Sequence, residues 1–258
     1  MPITTIEGLE IHYDHFAAKD SSNTHRVIYI HGTGCSGRVF GRHLRMLSER
    51  HEVVAIDLPG HGESDGSGFR SVVEHAFYAA GLVEKLGWDS CVVAGHSMGG
   101  GIAIALVVYF RQLVDGLLLI DTGARLRVNS KVIEQARKIA AGDHSIEVSS
   151  RFGYADSTPQ SVVDEVNRIN GGCDAEVIYK DWIADDSCDF LSRVGKIDVP
   201  TLAICGDQDP LTPVKYHEYL RDRMPNCKLA VIENSGHWPF AENPDAFDQE
   251  IIRFLDGL

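Results

Sequence analysis

Long apolar runs are missing from this sequence: none reaches the roughly 18 residues that a membrane-spanning helix requires. The first residues, Met-Pro-Ile-Thr-Thr-Ile-Glu, also lack the basic stretch followed by an apolar stretch that marks a secretory signal. No two cysteines form a C-x-x-C pair, the spacing typical of zinc and redox sites. These absences predict a cytoplasmic protein whose thiols are reduced.

Positive charge is scarce as well. The chain has 24 Lys and Arg against 37 Asp and Glu, which gives a formal net charge of -13. A field of this sign repels phosphate backbones and anionic lipid headgroups. Nucleic acids and membranes are therefore excluded as predicted partners, and a small molecule is the expected ligand.

Short apolar runs alternate with stretches of helical spacing through the first 121 residues. The alternating segments 3–6 and 9–13 flank Gly8 and predict a hairpin. Continuous apolar runs predict buried strands at 27–30, 53–56, 91–94, 117–120, 201–205 and 229–232. Helical spacing occurs at 38–50, 71–86, 98–110 and 244–256. This alternation predicts an α/β fold with a mostly parallel sheet flanked by helices.

Residues 122–196 interrupt that pattern. They are more polar, and their spacing predicts helices at 130–141, 160–169 and 175–185. We expect an α/β core formed by 1–121 and 197–258, with 122–196 inserted as a helical cap over the edge of the sheet where a site would lie.

The segment Gly95-His96-Ser97-Met98-Gly99 stands between a predicted strand and a predicted helix. Glycines two residues either side of a serine allow the sharp turn that exposes its hydroxyl, as in a nucleophile elbow. The pattern is neither the dinucleotide-binding G-x-G-x-x-G nor a P-loop with its lysine. Ser97 is thus the predicted nucleophile, and the Met98 amide at the helix N-terminus is a predicted oxyanion donor.

A serine hydroxyl needs a base and a carboxylate that orients the base. His237 follows the last predicted strand in a turn-rich loop, at the sheet edge where catalytic residues of α/β proteins collect. Asp207 and Asp209 both follow the strand at 201–205, and Asp121 ends an earlier one. Spacing alone does not separate these acids, although Asp209 is better placed to reach the histidine and Asp207 is suited to capping the turn.

A second oxyanion donor is predicted after the first parallel strand, in His31-Gly32-Thr33-Gly34-Cys35. Glycine at this point lets a backbone amide face a reacting carbonyl. The Thr33 amide is the candidate donor. We expect His31 to brace the loop and Cys35 to line the site.

Several segments together resemble the α/β-hydrolase superfamily over nearly the whole chain, as a serine-esterase-like member with a short cap. They are His31-Gly32, Asp57-Leu58-Pro59-Gly60-His61-Gly62-Glu63-Ser64, Gly95-His96-Ser97-Met98-Gly99-Gly100, Gly206-Asp207-Gln208-Asp209-Pro210-Leu211-Thr212-Pro213 and Gly236-His237. The resemblance implies an eight-stranded sheet, Asp209 as the acid of G-x-x-D-x-x-x-P, a bracing role for 57–64, and no metal or organic cofactor.

At two places the sequence differs from other enzymes of this superfamily, and each difference argues against one reaction type. Serine at 97, where haloalkane dehalogenases and epoxide hydrolases have aspartate, excludes their alkyl-enzyme route. Gly99-Gly100-Gly101 without a following arginine disfavours the menaquinone-pathway synthases of this fold.

The expected reaction is hydrolysis of small to medium carboxylic esters through an acyl-enzyme. Lactonase, C–C bond hydrolase and cofactor-free perhydrolase activity are alternatives with the same residues, and a slow-turnover ligand receptor is a further one. Aromatic residues of the cap are candidates for the substrate pocket: Phe152, Tyr154, Tyr179, Trp182 and Phe190.

Overall fold

An eight-stranded sheet forms the centre of the computed structural model, which describes residues 2–19 and 24–258. The strands are β1 (Ile3–Ile6), β2 (Leu9–Phe16), β3 (Arg26–Ile30), β4 (Glu52–Ile56), β5 (Cys91–His96), β6 (Val114–Ile120), β7 (Thr201–Gly206) and β8 (Cys227–Ile232). Their order in the sheet is β1-β2-β4-β3-β5-β6-β7-β8. The pairs β1–β2 and β2–β4 are antiparallel, and the other five pairs are parallel, so the predicted α/β class and mostly parallel sheet are confirmed.

Helices cover both faces of this sheet. They are α1 (Gly41–Leu47), α2 (Val72–Lys85), α3 (Met98–Tyr109), α4 (Ser130–Ala140), α5 (Gln160–Asn170), α6 (Ala175–Ser187), α7 (Val214–Arg223), α8 (Pro239–Glu242) and α9 (Pro244–Leu255). The helix predicted at 38–50 is divided into a 3₁₀ turn, Gly37–Phe40, and α1. The sequence did not reveal α7, because this polar helix buries only His217 and Leu220 and so has little apolar periodicity.

Alternate residues of each strand enter two different cores. Ile28 and Ile30 of β3 pack in one cluster with α2 and α3, whereas Val27 and Tyr29 pack in the other with α1 and α9. This follows from the two-residue repeat of a strand, whose side chains point to opposite faces. Strand β5 is buried along its whole length. Because β5 lies between β3 and β6 in the sheet, its carboxyl end is flanked by the carboxyl ends of these two strands.

Residues 122–196, which lie between β6 and β7 and are here called the inserted segment, contain α4, α5 and α6, close to the three predicted helices. Helix α4 packs on α6, and α6 also contacts α3 of the core. Within the described part of the chain, no helix combines the length and apolarity needed to cross a membrane. The cysteines are all free thiols: Cys35, Cys91, Cys173, Cys188, Cys205 and Cys227.

Candidate active site

Ser97 occupies a strained turn between β5 and α3. Its backbone angles are φ 54° and ψ -119°, a region that non-glycine residues seldom adopt. Glycine is required two residues before and two residues after Ser97. A Cβ at Gly95 would lie 2.0 Å from the Gly99 carbonyl oxygen, and one at Gly99 would lie 2.2 Å from that of Ile30. The turn leaves Ser97 partly exposed and the Met98 amide in the first turn of α3, where backbone N–H groups have no partner within the helix.

His237 and Asp209 form a buried pair beside this turn. The ring Nδ1 of His237 lies 2.8 Å from Asp209 Oδ2. Asp209 also accepts hydrogen bonds from the Leu211 amide at 2.7 Å and from the Thr212 hydroxyl at 2.5 Å. Burial acts to raise the pKa of Asp209, but the charge of His237 and these donors outweigh it and hold the pKa below its usual range. Asp209 is therefore ionised, and Nε2 is the ring nitrogen left for proton exchange.

The backbone of His237 is fixed from several directions. Its N–H donates to the Gly153 carbonyl oxygen at 2.7 Å, and its own carbonyl oxygen accepts from His96 Nε2 at 2.8 Å. Glu242 Oε1 accepts from the amides of Gly236 and Trp238, the residues before and after the histidine. Segment 122–196 thus contributes, through Gly153, to the position of His237.

The two other acids considered from the sequence take different positions. Asp207 is exposed, and its Oδ1 accepts from the Ser235 amide at 3.1 Å, so it contacts the loop after β8 instead of capping its own turn. Asp121 is fully buried, and its Oδ1 accepts from the Gly206 amide at 2.9 Å. Burial and the neighbouring Asp209 raise the pKa of Asp121 well above its ordinary value. These effects favour the neutral form of Asp121, which is the less suitable partner for a charged imidazole.

The loop after β3 turns one peptide group toward Ser97. The Gly32 carbonyl oxygen accepts from the Cys35 amide at 3.2 Å and lies 2.9 Å from His31 Nδ1, while His31 Nε2 accepts from the Leu58 amide. The Gly32–Thr33 peptide is trans, so its N–H points in the opposite direction from its carbonyl oxygen. The Thr33 N–H therefore points away from Cys35 and His31. Gly32 lies against the serine, since a Cβ there would be 2.9 Å from Ser97 Cβ. His31 thus braces the loop.

The segment Asp57-Leu58-Pro59-Gly60-His61-Gly62-Glu63-Ser64 lies behind this loop. Asp57 Oδ1 accepts from the Gly37 amide at 2.8 Å, and Asp57 Oδ2 accepts from the Glu63 amide at 3.1 Å and contacts His12 Nδ1 at 2.7 Å. Asp57 therefore ties its own turn to the residues that follow the loop after β3.

A cavity of about 360 Å³ opens above Ser97. Thr33, Cys35, Ser97 and His237 are in its wall, and eight further wall residues come from segment 122–196, among them Phe152 and Trp182. Those two rings meet edge to face with centroids 6.4 Å apart. Besides the residues just named, seven wall residues are apolar or aromatic: Leu126, Val128, Val132, Pro210, Leu211, Tyr216 and Trp238. Five others are polar or charged: His96, Arg127, Asn129, Asp185 and Thr212.

Three of the predicted pocket aromatics are not among the residues lining this cavity. Tyr154 stacks on the far side of Trp238 and donates its hydroxyl to Asn167. Phe190 is buried in the core, and Tyr179 lies under the Arg70 guanidinium. Tyr179 and Trp182 are three residues apart on α6, and only the way in which the helix docks on the core decides that Trp182 borders the cavity.

Sequence reasoning also missed two carboxylates beside the loop that follows β3. Asp181 and Asp185 of α6 are buried, and Asp185 belongs to the cavity wall. Asp181 Oδ2 lies 2.8 Å from His61 Nε2, and Asp185 Oδ2 accepts from the Thr33 hydroxyl. Acidic residues on a helix are ordinarily a solvated face, so only their spacing of four could have drawn attention to them.

Comparisons with known proteins agree with the fold. A model of the alpha/beta hydrolase family matches residues 27–250. The chain is similar to the pimeloyl-[acyl-carrier protein] methyl ester esterase of Neisseria meningitidis serogroup B, at 26% identity over 90% of this chain and 93% of the relative. Among solved structures, it is similar to a thermophilic esterase (30% identity, TM-score 0.84, 99% and 97% of the two chains).

A second solved structure, the enol-lactonase from Burkholderia xenovorans LB400, has a TM-score of 0.87 at 20% identity and covers 99% of this chain and 100% of its own. At that identity the likeness concerns the fold.

Proposed function

The chain belongs to the alpha/beta hydrolase family, and on that premise we propose that it hydrolyses carboxylic esters through an acyl-enzyme on Ser97. The observation that carries the proposal is the buried 2.8 Å contact between His237 Nδ1 and Asp209 Oδ2, on the same cavity as the strained serine. An ionised aspartate at Nδ1 fixes the tautomer in which Nε2 accepts a proton.

In the first half of the reaction, His237 Nε2 takes the hydroxyl proton as Ser97 Oγ attacks the acyl carbon. The amides of Met98 and Thr33 stabilise the oxyanion that forms. His237 then gives its proton to the leaving alkoxide, the C–O bond breaks, and the acyl group remains on Ser97.

Water completes the cycle by attacking the acyl carbon while His237 again accepts a proton. Collapse of the second oxyanion releases the acid and returns the proton to Ser97 Oγ. Asp209 stays ionised throughout and stabilises the imidazolium form of His237.

The cavity supports a small to medium substrate. Its volume of about 360 Å³ is at the low end of ligand pockets, and aromatic rings form part of its wall. The relative from Neisseria meningitidis is, by its name, an esterase of a methyl ester, which supports an ester as the bond cleaved. The net charge of -13 supports a small-molecule substrate rather than a nucleic acid or a membrane.

The test is hydrolysis of p-nitrophenyl acetate and butyrate by the wild type, by Ser97→Ala and by the exposed control Ser157→Ala. We expect turnover that falls by about 10⁴-fold or more in Ser97→Ala and is unchanged in Ser157→Ala. Equal rates in all three proteins would remove Ser97 as the nucleophile. Activity confined to a vinylogous diketone would replace ester hydrolysis with C–C bond cleavage, and tight binding with negligible turnover would replace it with a receptor function.

A further inference from the structure

Helix α6 contacts the loop after β3 (residues 31–35, here called the oxyanion loop) through three side chains. Ile178, Asp181 and Asp185 follow one another at spacings of three and four, which places them on one face of the helix. Ile178 packs on Gly34, where a Cβ would lie 3.1 Å from Ile178 Cγ1 and where φ is +65°. The helix and the loop are thus in direct contact at Gly34.

Asp181 holds the backbone of the loop. Its Oδ2 accepts from the Gly34 amide at 2.9 Å and lies 2.8 Å from His61 Nε2. His61 Nδ1 faces the Pro59 carbonyl oxygen, so both ring nitrogens have acceptors and the ring is an imidazolium. Although burial opposes it, Asp181 raises the pKa of His61 to about 10. A charged partner thus compensates the buried carboxylate, as such a group requires.

Asp185 holds the side chain of the neighbouring residue. Its Oδ2 accepts from the Thr33 hydroxyl at 2.8 Å, and the carboxyl is almost completely buried. The peptide whose N–H is the candidate oxyanion donor therefore has a fixed residue on each side. Its carbonyl is held by Cys35 and His31, and the residues that follow it are held by α6.

We propose that Asp181 and Asp185 are positioning residues, which set the direction of the Thr33 N–H and so make α6 a structural part of the oxyanion hole. This inference rests on the proposed ester hydrolysis. It assigns the inserted segment a role in transition-state stabilisation in addition to covering the cavity. A misdirected donor affects the reaction only where negative charge develops, so the loss falls on kcat more than on KM.

The test compares Asp185→Leu, Asp185→Asn, Thr33→Val and the double variant Thr33→Val/Asp185→Leu, with the exposed Asp186→Asn as control. Two ketones of equal chain length serve as inhibitors. A trifluoromethyl ketone forms a serine adduct whose oxyanion needs the hole, and the methyl ketone binds without it. Circular dichroism melting verifies that each variant is folded.

We expect Asp185→Leu and Thr33→Val each to lower kcat by about 10- to 100-fold, less than the loss of a whole donor. The affinity for the trifluoromethyl ketone should fall by the same factor, while KM and the affinity for the methyl ketone change less than about 3-fold. Asp185→Asn keeps an acceptor and should restore most of the activity. The double variant should be no worse than either single one, because both remove the same contact.

The proposal would be overturned if the losses of kcat were additive in the double variant, or if the affinities for both ketones fell equally. Wild-type kcat in a folded Asp185→Leu protein would also overturn it. Failure of the proposed function has a separate sign: the wild type itself would then show no Ser97-dependent turnover.

Discussion

Asp121 and Asp209 each bring a carboxyl oxygen to within 4.8 Å of a ring nitrogen of His237, and Asp209 is the one that bonds to the ring. Two ionised carboxylates at this separation repel strongly in a buried site, so one of them holds a proton. The donors around Asp209 favour its charged form, whereas Asp121 has one amide donor and is fully buried. We therefore expect the proton on Asp121 rather than on Asp209.

Asp121→Asn is consequently expected to be nearly silent, because an amide reproduces the shape and neutrality of a protonated carboxyl. We expect kcat/KM within about 3-fold of the wild type. Asp209→Asn removes the charge that orients His237 and should lower kcat by about 10³- to 10⁴-fold. Ester hydrolysis by the two variants checks this. Comparable losses of activity in both variants would mean that Asp121 is ionised and helps Asp209 to orient His237.

Asp185 should make stability fall as the pH rises. Burial, with a smaller contribution from Asp181, raises the pKa of this carboxyl from 3.8 to about 8. Between these values the folded state binds a proton that the unfolded state does not, so the contribution of the neutral acid is complete below about pH 4 and is lost as the pH rises toward 8.

Asp185→Asn cannot titrate and is the matched control. The difference in unfolding free energy, wild type minus variant, should therefore decline by about 1.4 kcal/mol per pH unit between pH 5 and pH 7. Urea unfolding at pH 5, 6 and 7 measures it. A difference that is constant across these pH values would show that Asp185 is ionised in the folded protein.

Gly95 should tolerate no side chain. An added Cβ would meet the Gly99 carbonyl oxygen at 2.0 Å, and a backbone oxygen cannot rotate away. We expect Gly95→Ala to lose at least about 3 kcal/mol of stability or to fail to fold. Gly41→Ala is the control, since Gly41 lies at the start of α1 with φ -53°, and an added Cβ there would meet only the end of the flexible Arg45 side chain at 3.7 Å. It should be neutral or stabilising by up to about 1 kcal/mol. Denaturant midpoints compare the two, and equal midpoints would contradict the steric argument.

The sequence predicted the residues whose chemistry is tied to local motifs. The turn at Ser97, the loop at Thr33 and the position of His237 all depend on glycine patterns at the ends of apolar strands, and such patterns are local. The sheet also followed from local signals, because strands buried on both faces are continuous apolar runs.

Long-range contacts could not be predicted in the same way. Nothing near Asp185 in the chain indicates that it meets Thr33, 152 residues away. The choice among aromatic residues of the inserted segment failed for a related reason. Trp182 and Tyr179 are both amphipathic side chains on one helix, and only the docking of α6 on the core decides which of them borders the cavity.

Trp182 is expected to limit the length of the acyl chain. It belongs to the cavity wall and meets Phe152 edge to face, so Trp182→Ala enlarges the cavity at that end. Longer apolar chains then bury methylene groups that the wild type excludes, at about 0.8 kcal/mol each. We expect the ratio of kcat/KM for p-nitrophenyl octanoate to that for the acetate to rise by about 10-fold. Tyr179→Ala, on the same helix but under Arg70, is the control and should leave the ratio unchanged. If both variants shift the ratio equally, the effect is a general loosening of α6, and Trp182 does not border the acyl chain.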